Sequence, residues 1–152
     1  MARIKIDLPE QFSFSTSIPI RITDLNYGNH VGNDAVLSII HEARMQFLKN
    51  YGYTEMEFAG VGTIMNDAAI EFKNELFYGD IVIASVIATG FSKVGFDIYY
   101  KLETLRRFDK LGTQGDKKIL AVVAKTGMVC FDYTRKKIAV LPEEAIKKLT
   151  GL

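Results

Sequence analysis

RITDLNYGNHVGNDAVLSIIHEARMQFLKN, residues 21–50, carries the longest helical pattern in the chain and the polar, glycine-punctuated loop that feeds it. Val36, Leu37, Ile40, Ala43, Phe47 and Leu48 recur at three- and four-residue steps, and Ile39 widens the stripe beyond that of a helix resting on a surface. The spacing predicts a largely buried helix. Asn33 or Asp34 is expected at its N-cap, where a short side-chain oxygen can accept an unpaired N–H of the first turn. Gly52, just after Tyr51, is expected to end it, and Glu42 and Gln46 to share its solvent side.

Working outward, residues 12–22 (FSFSTSIPIRI) alternate apolar and polar, which is strand periodicity with Pro19 near an edge. Beyond the helix, a glycine- and aromatic-bearing connection leads into strand-like runs with no helical pattern between them. These are residues 63–73, then 81–89, which is apolar on both faces and reads as a covered central strand. Residues 94–103 show the clearest period of two, and 118–132 follow after a polar tip over 107–117. Such spacing argues antiparallel pairing. Pro142 opens a short terminal helix with Glu143 and Glu144 first and Lys147 and Lys148 last, an order that complements the helix dipole. One apolar helix and roughly five antiparallel strands form an α+β domain most simply if the sheet wraps the helix. Strands apolar on both faces further predict an oligomer.

At 152 residues the chain is read as one domain, residues 1–152. Apolar residues make up 48%, charged residues 24%, and the net charge is +1, with the basic residues scattered, so nothing points to nucleic acid. Cys130 is the one cysteine, and His30 and His41 are the only histidines, which leaves too few ligands for a zinc or haem centre. No metal and no cofactor are expected. MARIKIDLPE has no signal-like apolar block and no run approaches a membrane span, so the expected compartment is the cytoplasm.

Four segments in order carry a resemblance: TDLNYGNHVGN before the helix, HEARMQFLKNYGY across its end, AIEFKNELFYGD leading into a strand, and RKKIAVLP before the last helix. Together they resemble the hotdog-fold acyl-CoA thioesterases of the 4-hydroxybenzoyl-CoA thioesterase type, over about residues 14–149. The resemblance implies one long central helix wrapped by a curved antiparallel sheet. It also implies a homodimer joined edge to edge, with sites at the interface that admit the pantetheine arm of coenzyme A, and leaves a tetramer open. Coenzyme A enters only as part of the substrate. Many relatives show Asp, then His and an Asn-Asn pair; here Asp24 and His30 stand six apart and Gly32 takes the place of the first Asn. The spacing is also similar to plant acyl-carrier-protein thioesterases.

Thioester hydrolysis needs an activated water or a carboxylate nucleophile, and donors aimed at the carbonyl oxygen. Asp24 is the expected base or nucleophile, with the backbone N–H groups of Val31 and Gly32 as oxyanion donors at the helix mouth. His30 and Asn33 are expected to orient the water or the departing thiol, with Asp34 the further carboxylate of the loop. An Asp before a helix is more often a cap or turn residue than a catalyst, and only the resemblance tips Asp24 toward catalysis. Asp67 reads as an outward or bulge residue, or else as a second site carboxylate. Ser92 and Lys93 fall where relatives meet the nucleotide end of coenzyme A, although a Ser-Lys pair in a hairpin is more often just a turn. Phe47, Tyr51, Phe58 and Met65 would suit a medium or long acyl chain, or core filling equally. The expected activity is acyl-CoA hydrolysis. An acyl-carrier-protein substrate and a non-catalytic acyl-CoA-binding protein of the same fold are the alternatives.

Overall fold

The computed structural model describes residues 1–107 and 116–151. In chain order these form β1 (Phe14–Pro19), a 3-10 turn (Ile22–Asp24), α1 (Asn33–Asn50), β2 (Gly62–Phe72), β3 (Ile81–Thr89), β4 (Gly95–Arg107), β5 (Asp116–Asp132), β6 (Lys137–Ile138) and α2 (Glu143–Thr150). Most of the polar tip expected over 107–117 lies outside the described residues. The strand order is β1-β3-β4-β5-β2, with β6 hydrogen-bonded to β5 off this path, and every pairing is antiparallel. One long helix lies on one face of this sheet, against β1 and β3, in the hotdog arrangement. Pro19 sits at the end of an edge strand, where its missing N–H costs no ladder bond.

The period of two in β4 aims Phe96, Ile98, Tyr100 and Leu102 inward, where they meet Ile39, Ile40, Ala43 and Phe47 of α1 and Val82, Ala84 and Val86 of β3. The expectation of a largely buried helix needs correction. Leu37 is 37% exposed, and Asp34, Ser38, His41 and Glu42 lie on the same wet side. The helix is amphipathic, and its buried stripe includes a charge, Arg44. The N-cap is neither Asn33 nor Asp34 but Gly32, and no side chain caps the first turn. Gly52, in the left-handed region at φ 81°, follows the end of the helix as expected.

Burial also redistributes the strands expected to be covered on both faces. In β3, residues alternate between buried and half-exposed, so only its inner face is fully covered. In β5, Ala121, Val122, Val123 and Ala124 are all buried, so both faces are covered there. The outer cover is supplied by the chain itself. The Ile6 N–H donates to Glu71 Oε2 at 2.8 Å, and the Phe12 ring lies 4.9 Å from Lys101 Nζ. Glu71 and Lys101 both pair with Val123, so the segment between Ile6 and Phe12 passes over that residue.

Candidate active site

The loop ahead of α1 is a closed hairpin. Leu25 and Val31 form an isolated antiparallel bridge, the Asn26 N–H donates to His30 O at 2.9 Å, and the Asn29 N–H donates to Asn26 O at 3.1 Å. The Asn26 side chain braces the turn by accepting the Gly28 N–H at 2.8 Å, an Asx turn that few residue types can make. A Cβ on Gly28 would stand 3.1 Å from His30 Nε2 and 3.2 Å from Asn26 Oδ1, so the glycine keeps the space beside the imidazole open. Gly32 likewise leaves room for Asp34, whose Oδ1 lies 2.5 Å from where a Cβ would stand.

This geometry corrects the expected oxyanion donors. The Val31 N–H donates to Leu76 O at 2.8 Å and the Gly32 N–H to Asp24 O at 3.0 Å, so both are already engaged within the chain. The first intrahelical bond comes from Val36, whose N–H reaches Gly32 O at 3.1 Å. That leaves Asn33, Asp34 and Ala35 with no backbone acceptor among the described residues. An anion or polarised carbonyl at this helix mouth would meet those three N–H groups.

Recesses among the described residues lie beside the loop and on the sheet. His30 and Asn33 line a cavity of about 220 Å³ whose apolar wall is Val36, Phe72, Leu76 and Val122 and whose rim carries Glu75. His30 Nδ1 lies 3.2 Å from Val31 O, and Nε2 lies 3.8 Å from Glu75 Oε1. Asp24 is not in this cavity. Its carboxylate, 5% exposed, opens on the other flank of α1 into a larger groove of about 350 Å³ with Ser17, Arg21, Ser38, Glu42 and Gln46. There it accepts the Arg21 N–H at 2.8 Å and the Arg21 guanidinium at 3.2 Å. The hydrogen bond and charge of Asp24 push the Arg21 guanidinium pKa upward.

Asp67 and Ser92 line a third recess, of about 220 Å³, with Asp97 and Gly127. Asp67 follows a β-bulge and accepts the Gly127 N–H at 3.0 Å and Lys125 Nζ at 2.9 Å, as an outward-facing bulge residue does. Ser92 closes the β3–β4 turn by bonding both the N–H and the carbonyl of Gly95 at 3.2 Å. Lys93 is exposed beside it. Of the four residues that would suit an acyl tunnel, Phe47 and Phe58 are fully buried core, and Tyr51 packs edge-on to Phe47. Only Met65 presents an exposed side chain, 38% accessible on β2.

Sequence reasoning missed Asn26 and Glu75. Asn26 stood in the loop already singled out, and its place two residues before a glycine is an Asx-turn signal. Glu75 lies in the break between β2 and β3, and nothing local marks a partner 45 positions away. The link is a backbone bond, Val31 N–H to Leu76 O, which sets the two segments side by side.

A long helix laid on an antiparallel sheet, with a polar hairpin and free N–H groups at the helix mouth, defines a thioesterase-type hotdog domain. The family model of the thioesterase-like superfamily matches residues 20–149, and the chain belongs to that superfamily of thioester hydrolases. No curated protein matches. Among solved structures, the chain is similar to a 1,4-dihydroxy-2-naphthoyl-CoA thioesterase from Synechocystis, at 20% identity and TM-score 0.74 over 91% of this chain and 96% of that one. It is similar to a 4-hydroxybenzoyl-CoA thioesterase variant solved with 4-hydroxybenzoyl-CoA, at 14% identity and TM-score 0.75 over 90% and 97%. A Thermus thermophilus thioesterase solved with coenzyme A and zinc is similar at 17% identity and TM-score 0.74 over 94% and 96%.

Proposed function

We propose that this protein is an acyl-CoA thioesterase, converting an acyl-CoA and water to a carboxylic acid and free coenzyme A at the His30 cavity. One observation carries this reading: a single recess joins an apolar wall, an imidazole and Asn33, the first residue of an 18-residue helix. The acyl group lies on Val36, Phe72, Leu76 and Val122. The thioester oxygen turns to the N–H groups of Asn33 and Asp34, which strengthen their bonds as charge develops on it. Asn33 aids orientation from the same wall, and His30 handles the proton of the attacking water.

A second reading keeps Asp24 as base or nucleophile. It is favoured by the low exposure of that carboxylate at the mouth of the larger groove. Release of coenzyme A thiol from short, medium, long and aromatic acyl-CoAs, compared across wild type, His30→Gln and Asp24→Asn, separates the two. The His30 reading expects kcat to fall about 10²–10⁴-fold in His30→Gln. A folded, inactive Asp24→Asn beside an active His30→Gln would move the chemistry to the other flank. Preference for aromatic acyl-CoAs would place the protein with the 4-hydroxybenzoyl-CoA type. Hydrolysis confined to acyl-carrier-protein thioesters, or binding without turnover, would select one of the remaining alternatives.

A further inference from the structure

The rim of the His30 cavity carries a carboxylate that the reaction as described so far does not use. Glu75 holds its side chain out from a backbone fixed on both sides. Its carbonyl accepts Arg106 Nη2 at 2.6 Å, the next carbonyl accepts the Val31 N–H at 2.8 Å, and the Asn74 side chain before it donates to Leu120 O at 2.7 Å. The carboxylate itself has one ion-pair partner among the described residues, His30 Nε2, at 3.8 Å. That separation is too long for a direct hydrogen bond. It leaves the Glu75 oxygen and the ring nitrogen able to share one small molecule between them.

The other ring nitrogen fixes the tautomer. With Nδ1–H donating to Val31 O, the neutral imidazole presents Nε2 as a bare lone pair. The backbone bond from Val31 to Leu76 joins the residues immediately following His30 and Glu75, so the fold sets their backbones side by side. Lys73, the other charged side chain on this wall, is paired to Glu71 at 3.2 Å.

Resting on the thioesterase reading, we propose that Glu75 is the positioning residue of that reaction: it and His30 Nε2 hold the hydrolytic water between them. One O–H of the water donates to Nε2 and the other to the Glu75 carboxylate. As the water oxygen bonds to the thioester carbon, its first proton passes to Nε2. The Glu75 charge stabilises the imidazolium that forms, the role a carboxylate plays beside a catalytic histidine. When the C–S bond breaks, the departing sulfur takes the proton from Nε2. Acid and thiol leave, and both side chains return to their starting states.

The Glu75 side chain is 62% exposed, so replacing it leaves the core untouched. Steady-state hydrolysis of the best acyl-CoA by wild type, Glu75→Gln and Glu75→Asp is the test, with ¹⁵N NMR of His30 in each protein. The expected result is a fall in kcat of about 10–100-fold in Glu75→Gln with KM within about twofold, and partial recovery in Glu75→Asp. The NMR spectrum should show the Nδ1–H tautomer. Wild-type turnover with unchanged kcat in Glu75→Gln would overturn the role of Glu75 and leave the thioesterase standing. A loss confined to KM, or an Nε2–H tautomer, would overturn it as well. Failure of the wild type to hydrolyse any acyl-CoA would remove the thioesterase reading and this role together.

Discussion

Arg44 enters α1 on its buried stripe, where the helical period asks for an apolar side chain, and it is 4% exposed. It is held there by partners from two other segments. Its Nε donates to Glu55 Oε1 at 2.5 Å and its Nη1 to the Tyr100 hydroxyl at 3.4 Å, and that hydroxyl pairs with Thr126 Oγ1 at 2.8 Å. Removing Arg44 takes the nearer cation from Glu55 and a donor from the Tyr100 hydroxyl, so Arg44→Ala should cost about 1–3 kcal/mol in urea unfolding. Burial opposes the charge on Glu55, yet the bonds and charges of Arg44 and His41 outweigh it and hold its carboxyl below the ordinary 4.5. With the folded pKa lowered, this stabilisation is complete above the ordinary value and is lost as pH falls through the folded one. The acid limb of the stability curve should therefore flatten in Glu55→Gln; an unchanged limb would remove Glu55 from the acid response. Burial pushes the Cys130 thiol up to about 11. The folded protein should accordingly leave Cys130 unmodified by thiol reagents at neutral pH, and rapid labelling would contradict its burial.

At the scale of elements, period located β1, β4 and α1 to within a few residues, because each buries one face and so writes a repeat into the chain, whereas β3 and β5 were marked by runs apolar on both faces and α2 by Pro142 and its charge order. What they did not show is what covers a second face. Val123 lies in a run whose apolar outer face was expected to meet another subunit, but its cover comes from the Ile6–Phe12 segment, which has too little period to mark it as structure. The N-cap was misplaced by one or two residues for a related reason: Gly32 takes that position without any side-chain bond, a role no polar residue type announces. The start of β4 gives a sharper test of the sheet. A Cβ on Gly95 would lie 2.3 Å from the carbonyl oxygen of Met128, on the strand it pairs with. Neither backbone can yield without opening the β4–β5 ladder. Gly95→Ala should destabilise the protein by about 1–3 kcal/mol in thermal or urea unfolding, and a neutral result would mean the two strands are further apart than described. The opposite sign is expected at Ala59, whose φ of 52° is one a glycine adopts without strain. Ala59→Gly should be neutral or stabilising by up to about 1 kcal/mol.

For the whole molecule, the site was only half legible. The loop and helix mouth were located, because polar residues and glycines cluster there, but Asp24 and His30 open on opposite flanks of α1, and only tertiary structure separates them. The oligomer expectation stands on a different footing from the one first given for it. Apolarity on the outer face of β5 is met inside one chain, whereas β2 is an 11-residue strand paired on one side only, by β5. It exposes Ile64, Met65 and Phe72 at 40%, 38% and 50%. A long apolar edge of this kind invites another strand, and a two-fold axis lets β2 of one copy pair with β2 of the next, closing the edge on both. The wild-type protein should sediment as a dimer at micromolar concentration. Met65→Lys combined with Ala68→Lys places two charges on exposed β2 side chains, which one chain tolerates and a shared edge does not. That variant should sediment as a monomer with an unchanged circular dichroism spectrum. A wild-type monomer, or a variant dimer of undiminished strength, would show that β2 is not the edge the molecule uses.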